Sequence, residues 1–375
     1  MWIKRFYESD DILLTKGKVN LLYGARRAGK TELIKRVIKK LNVNTYFGEG
    51  DDLELRRLLS STEKSRILSA FQDYDCIVID EAQRITNIGL ALKILVDNFK
   101  DKIIIASGSS SFRLSSQVGA PLTGRSNTNM LFPLSVMEIK AQYGGMDVLH
   151  RLHAYMIYGM YPEALLSKSL REKENYLKEL RNAYLLQDIL ELDNVRNADK
   201  LFDLLRLLAF QIGQEVSLSE LGNALGLAKQ TITRYLDLFE KAFIIKKLNG
   251  FSKNLRKEVT KTSRYYFFDN GIRNALINNF NVLESRNDVG MLWENFMVME
   301  RLKWQEYNNF ICNNYFWRTY DQKEVDWVEE YNGKLSGYEF KWNPQKKKTQ
   351  KEWLETYQNA DFKIISTDNF LDFVS

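Results

Sequence analysis

The sequence predicts an α/β protein in three parts: a parallel-sheet domain, a helical domain ending in a hairpin, and a second mixed α/β domain. Three observations carry this reading. A phosphate-loop template at residues 24–31 stands between a short apolar run and an amphipathic helical pattern. Two later apolar runs, 76–80 and 103–107, are continuous rather than alternating, as in strands covered on both faces of a parallel sheet. From about residue 145 long helical patterns replace them, and the last hundred or so residues return to mixed structure. At 375 residues the chain exceeds one ordinary core, and these shifts place the domains at 1–142, 143–275 and 276–375.

In the first domain, residues 19–23 predict a strand and 30–41 a helix, with Leu33, Ile34, Val37, Ile38 and Leu41 on one face. Residues 88–99, with Leu92, Leu95, Val96 and Phe99 aligned, predict the crossover helix between the runs at 76–80 and 103–107. Strand and helix alternating in this order is a doubly wound sheet.

Its chemistry follows from spacing. Gly24-Ala25-Arg26-Arg27-Ala28-Gly29-Lys30-Thr31 fits G-x-x-x-x-G-K-[ST]. The glycines let backbone N–H groups close around phosphate oxygens, Lys30 adds charge near the β- and γ-phosphates, and the Thr31 hydroxyl reaches Mg²⁺. About fifty residues on, an apolar run ends in Asp80-Glu81. There Asp80 would hold Mg²⁺ and Glu81 would polarise the attacking water. Ser107-Gly108-Ser109-Ser110 would bring a hydroxyl near that water, and Arg125, after Gly124, would offer a guanidinium to the γ-phosphate; a solvated loop arginine is the competing reading. ATP with Mg²⁺ is the implied ligand pair.

The middle domain holds long helical patterns at 177–192 and 200–212. Residues 217–227 and 229–241 then predict a helix, a glycine-containing turn and a second helix, followed by strands at 243–248 and 264–268: a winged-helix pattern. In the second helix Ile232, Leu236 and Phe239 form an inward stripe. Lys229, Gln230, Thr233 and Arg234 fall on other faces, available to DNA phosphates or base edges. Lys246, Lys247, Lys253, Arg256, Lys257, Lys261 and Arg264 give the hairpin a basic character. Winged helices also serve as protein-contact modules, so a protein partner stands beside DNA.

The last domain predicts a helix at 291–304 and strands at 314–318, 324–328, 337–342 and 362–366. Glu339 and Lys341 alternate onto one face of a strand. With Asp326 on the neighbouring strand, this is an acid and an E-x-K triplet, which resembles the restriction-endonuclease-like fold. The resemblance gives Glu294, on the preceding helix, the place of a third acid. It implies that Glu294, Asp326 and Glu339 hold a second divalent metal, with Lys341 stabilising phosphate charge. An amphipathic strand with a paired Glu and Lys is the plainer reading, and the basic stretch 342–348 reads as a solvated loop.

Residues 24–31, 77–81, 107–110 and 122–125 together resemble the AAA+ ATPases of bacteria and archaea. The subfamily most similar carries an uncharacterised C-terminal region; residues 131–135 and 158–163 fit it, and the resemblance covers nearly the whole chain. It implies that Ser107 is the sensor residue and that Arg125 acts in its own site or a neighbouring copy's, which admits a homo-oligomer.

Composition removes other chemistries. Two cysteines and two histidines exclude a disulfide framework and make a zinc site of four such ligands hard to assemble, leaving carboxylate-held Mg²⁺ or Mn²⁺. Residues 1–8 are charged throughout, unlike a signal peptide, and no apolar run approaches the roughly 18 residues of a membrane span, which predicts a cytoplasmic protein. The net charge of +6 permits DNA without demanding it. The expectation is therefore Mg²⁺-dependent ATP binding and hydrolysis coupled to DNA binding, extending to DNA processing. The rival is an ATP-driven switch whose C-terminal half binds a protein and cleaves nothing. A small-molecule kinase fits poorly with the long appended domains.

Overall fold

Strand β1 (Val19–Tyr23) is buried at every position, and its sequence is accordingly apolar apart from Asn20. That amide is buried too, and donates to the carbonyls of Thr15 and Ile104 at 2.8 and 3.2 Å, as a polar group inside a core must. The structure is a computed structural model describing residues 2–8, 11–109, 121–192, 198–252, 263–319, 323–343 and 351–375. The chain divides into two units, residues 2–133 with 241–243, and residues 134–240 with 244–375.

In the first unit, helix α1 (Lys30–Lys39) follows the loop after β1 and buries Leu33, Ile34 and Val37. Then come β2 (Thr45–Glu49), α2 (Leu53–Ser60), capped by Asp52, and α3 (Lys64–Phe71). β3 (Cys76–Asp80), α4 (Ile88–Asn98), β4 (Ile103–Gly108) and β5 (Ser126–Met130) complete the unit. Among the described residues these strands form one parallel sheet in the order β2-β3-β4-β1-β5. The inner strands β3, β4 and β1 are wholly buried, whereas β2 and β5 are half-exposed edges. Leu21, Ile77, Ile79 and Ile104 from the sheet meet Leu92 and Leu95 of α4 in the core. Each such side chain contributes on the order of 1.5–3 kcal/mol through burial. Parallel direction brings the ends of β1, β3 and β4 to one edge, where α/β sheets bind ligands.

The second unit opens with α5 (Val136–Tyr143), whose capping box pairs Ser135 with Glu138. Helices α6 (Gly145–Tyr158), α7 (Pro162–Leu166), α8 (Leu170–Leu192) and α9 (Ala198–Phe210) follow. A two-residue strand β6 (Glu215–Val216) leads into α10 (Leu218–Leu225) and α11 (Lys229–Lys241). Strand β7 (Ile245–Gly250) starts two residues later than the pattern suggests, because Phe243 adopts a left-handed φ of 53°. After β8 (Ser263–Phe267) come α12 (Asn270–Leu276) and α13 (Val289–Tyr307). The chain ends with β9 (Asn313–Arg318), β10 (Glu324–Tyr331), β11 (Lys334–Phe340), α14 (Lys351–Thr356), β12 (Ala360–Ile365) and α15 (Phe370–Val374).

Among the described residues the hairpin of the middle segment and the C-terminal strands share one sheet, β12-β11-β10-β9-β7-β8-β6. The join is short: Asn249 and Gly250 of β7 pair in parallel with Tyr315 and Phe316 of β9. An aromatic core of Phe251, Trp317, Trp353 and Tyr357 sits over it. Asn295 of α13 extends the sheet's bonding by accepting from Phe267 N at 2.6 Å and donating to Phe267 O at 2.9 Å.

The stretch 158–163 acquires a structural meaning here. Asp269 caps α12 through Gly271 N and Ile272 N, and also accepts from Met160 N at 2.6 Å. A Cβ on Gly159, itself at φ +72°, would lie 1.9 Å from Asp269 Oδ1, so glycine alone lets the two segments meet. Among the described residues no helix is long and apolar enough to cross a membrane.

Candidate functional site

The phosphate loop leaves β1 at Gly24, whose φ is +148° and whose Cβ would stand 2.0 Å from Leu131 O. Leu131 N in turn bonds Tyr23 O at 2.7 Å, so the loop is clamped to the strand beside it. Gly29 takes a left-handed φ of 97° as the N-cap of α1, turning the loop into the helix. The N–H groups at that helix start, with the helix dipole behind them, form an anion-binding surface. Ala25 and Ala28 are buried, Arg26 is half-buried and Arg27 is exposed. Lys30 is buried, and its Nζ donates to Gly24 O at 2.9 Å and Ala25 O at 3.1 Å. The ammonium therefore lies over its own loop, where a phosphate would be met.

Arg5 is a residue that sequence reasoning missed. Buried to 1% exposure, it donates to Ala28 O at 2.6 Å and Phe132 O at 2.7 Å, tying the loop to the segment after β5. In a run of charged residues no local signal marked it as the buried one.

The ends of β3 and β4 complete the site. Thr31 Oγ1 donates to Asp80 Oδ2 at 2.6 Å, and Ser107 Oγ donates to Asp80 Oδ1. Asp80 is buried, and Glu81 N donates to both Asp80 Oδ1 and Ser107 Oγ. Glu81 sits at a left-handed φ of 49°, with its carboxylate accepting from Gln83 Nε2 at 2.6 Å. Thr31 and Asp80 thus offer hard oxygen donors side by side at the mouth of the loop, a set that fits Mg²⁺ carried with nucleotide phosphates. Ser110 lies outside the described residues.

Arg125 is not brought to this site. Its carbonyl accepts from Val19 N, at the start of β1, whereas the loop leaves from the other end of that strand. Five strand residues separate the two edges by roughly 16 Å, and the Arg125 guanidinium pairs instead with Asp97 at 2.7 Å. The hydrogen bond from Arg125 holds the Asp97 carboxyl below its usual range. Strand direction thus puts Arg125 at the edge of the sheet opposite the phosphate loop of its own unit.

In the second unit, Asp326 and Glu339 stand opposite each other on β10 and β11, one step beyond the Trp327–Tyr338 pair. Phe340 N donates to Asp326 Oδ2 at 2.9 Å, and Lys341 pairs with Glu339 at 2.7 Å. Glu294, from α13, accepts from the Tyr266 hydroxyl at 2.7 Å. Burial, helped by the Asp326 charge, pushes Glu294 up to about 8 and Glu339 up to about 7. Burial likewise raises Asp326. Burial opposes the Lys341 charge, but Asp326 and Glu339 outweigh it and hold the lysine above its ordinary value.

The three carboxylates expected to share a metal have other partners here. Among the described residues no group of three or more His, Cys, Asp and Glu side chains is placed to hold a metal ion. The carboxylates converge instead on Arg264. This arginine, counted in the sequence among the basic residues of the hairpin, is 4% exposed and reaches Glu324, Glu294 and Asp326 at 2.7, 3.5 and 3.7 Å. Glu339 Oε2 is buried without a hydrogen-bond partner, while its other oxygen pairs with Lys341.

On α11, Ile232, Leu236 and Phe239 are buried while Lys229, Gln230, Thr233 and Arg234 are exposed. These four line an open cleft of about 890 Å³ with Ser217 and Lys247. Lys253, Arg256, Lys257 and Lys261 lie outside the described residues, as do residues 344–348 of the basic loop.

Residues 16–140 match the family model described as an AAA domain. Residues 149–282 and 289–369 match two domains of unknown function, DUF8612 and DUF4143. An uncharacterized protein of Mycobacterium tuberculosis is 29% identical over 331 residues, covering 88% of this chain and 71% of the relative. One of Methanocaldococcus jannaschii is 25% identical over 338 residues, covering 85% and 73%. Among solved structures, a signal-transduction ATPase with numerous domains and a tetratricopeptide-repeat sensor, from Pyrococcus horikoshii, aligns with a TM-score of 0.32 at 15% identity. That alignment covers 80% of this chain but only 45% of the other.

Proposed function

We propose that the first unit binds and hydrolyses ATP with Mg²⁺. The observation that carries this is the assembly of Thr31, Asp80 and Ser107 at the mouth of the phosphate loop, with Glu81 adjoining. The loop N–H groups and Lys30 bind the phosphates, and Lys30 exchanges its carbonyl partners for phosphate oxygens. Thr31 and Asp80 would hold Mg²⁺, which when bound neutralises phosphate charge. Glu81 accepts the proton of the attacking water, with Gln83 orienting its carboxylate. Ser107 fixes Asp80 and acts as the sensor. The test is binding of an ATP analogue and phosphate release. Lys30→Ala should abolish binding, and Glu81→Gln should keep it while turnover falls by about 10². Equal turnover by wild type and Glu81→Gln would remove Glu81 from the mechanism.

A coupled activity is favoured by the exposed polar face of α11. In this reading α10, α11, β7 and β8 act as a winged helix, and Lys229, Gln230, Thr233 and Arg234 meet a DNA backbone. The C-terminal strands, read as restriction-endonuclease-like, then serve as a binding module without metal-dependent cleavage. A salt-independent affinity would instead favour a protein partner. Arg125, on the far edge of its own sheet, is left to act in a neighbouring copy's site within a homo-oligomer.

A further inference from the structure

We propose that the guanidinium of Arg264 takes the place of a divalent cation in the acidic cluster of the second unit and closes that cluster to metal ions. This stands apart from the ATP site and does not rest on it. Four carboxylates, of Glu294, Glu324, Asp326 and Glu339, face two cations, Arg264 and Lys341. Arg264 takes three of them from two elements: Glu294 on α13, and Glu324 and Asp326 on β10. Its guanidinium also lies 4.6 Å from the centre of the Phe316 ring, so one face is covered by an aromatic wall. Lys341 holds Glu339, the fourth acid.

A magnesium or manganese ion needs several carboxylate oxygens within about 2.2 Å of one point. Here the oxygens nearest such a point already face a positive group, Glu324 accepting from it at 2.7 Å and Glu294 and Asp326 lying within 3.7 Å. A lysine could make room by losing its proton, but an arginine does not deprotonate in proteins. Admitting a dication would require either two like charges side by side, with little water between them, or expulsion of a buried planar side chain from beneath Phe316. The guanidinium fulfils the electrostatic task of a metal without offering the open coordination positions that metal-dependent phosphodiester hydrolysis uses. It is also structural, since it ties β8 of the hairpin to α13 and β10.

The test is a manganese titration of the nucleotide-free full chain, reading free Mn²⁺ by its spin-resonance signal. Wild type and Glu339→Gln should bind the same number of ions. Arg264→Met should gain one further ion per chain, Arg264→Met combined with Glu339→Gln should lose it again, and Arg264→Lys should gain none while its ammonium stays charged. A wild-type ion that Glu339→Gln removes would overturn the proposal, as would a folded Arg264→Met that gains none. Should Arg264→Met fail to fold by circular dichroism, the comparison of wild type with Glu339→Gln decides the matter alone.

Discussion

Replacing Asp269 by alanine removes one acceptor shared by three backbone N–H groups, those of Met160, Gly271 and Ile272 at 2.6, 2.8 and 3.3 Å. All three are buried. A buried donor left without a partner costs about 1–3 kcal/mol, so losing the acceptor of three should destabilise the second unit by about 3–9 kcal/mol in Asp269→Ala. The wild-type carboxylate carries a cost of its own. Burial outweighs its hydrogen bonds and pushes the Asp269 carboxyl up to about 6. The folded pKa therefore exceeds the unfolded value near 3.9. The favourable contribution is complete below about pH 4 and is lost as pH rises through 6, a change of about 3 kcal/mol. The alanine variant has no such titration, so the gap between wild type and variant should shrink by that amount between pH 4 and pH 7. Urea unfolding followed by tryptophan fluorescence isolates this unit, because Trp293, Trp304, Trp317, Trp327, Trp342 and Trp353 belong to it and only Trp2 lies in the other. A variant within about 1 kcal/mol of wild type at pH 5, or a gap that widens with pH, would refute the reasoning.

Two further outcomes follow from the same geometry. Gly24→Ala should weaken ATP-analogue affinity by about tenfold or more, because its Cβ would collide with Leu131 O and the loop must shift; unchanged affinity in a fluorescence titration would mean that the loop tolerates the move. Replacing Lys229 and Arg234 together by alanine should flatten the salt dependence of duplex DNA binding by roughly two units, one per lost phosphate contact, and an unchanged slope would turn α11 into a protein-contact surface.

Much of the first unit was legible because its signals are local. The phosphate loop is eight consecutive residues, and its glycines, lysine and threonine are needed at fixed spacing by a single turn. β1, β3 and β4 could be read because a strand covered on both faces must be apolar throughout. β5 escaped for the converse reason: Ser126-Asn127-Thr128-Asn129 is polar, as a half-exposed edge permits, and only pairing with β1 makes it a strand. Lys341 was expected within its strand, yet it lies just past the end of β11 while its Nζ still meets Glu339.

The amino-acid order by itself determined the turn that cradles phosphate, the acidic end of β3 and the inward stripe of α11, since each depends on residues within a few positions. Tertiary structure alone decided which charges meet. Arg5 and Arg264 look like surface cations in the sequence, and Arg125 looks like a γ-phosphate ligand. The first two became buried anchors and the third was carried to the far edge of its sheet, because a side chain's partner is set by strand direction and register across many tens of residues. No pattern within a few positions encodes that distance.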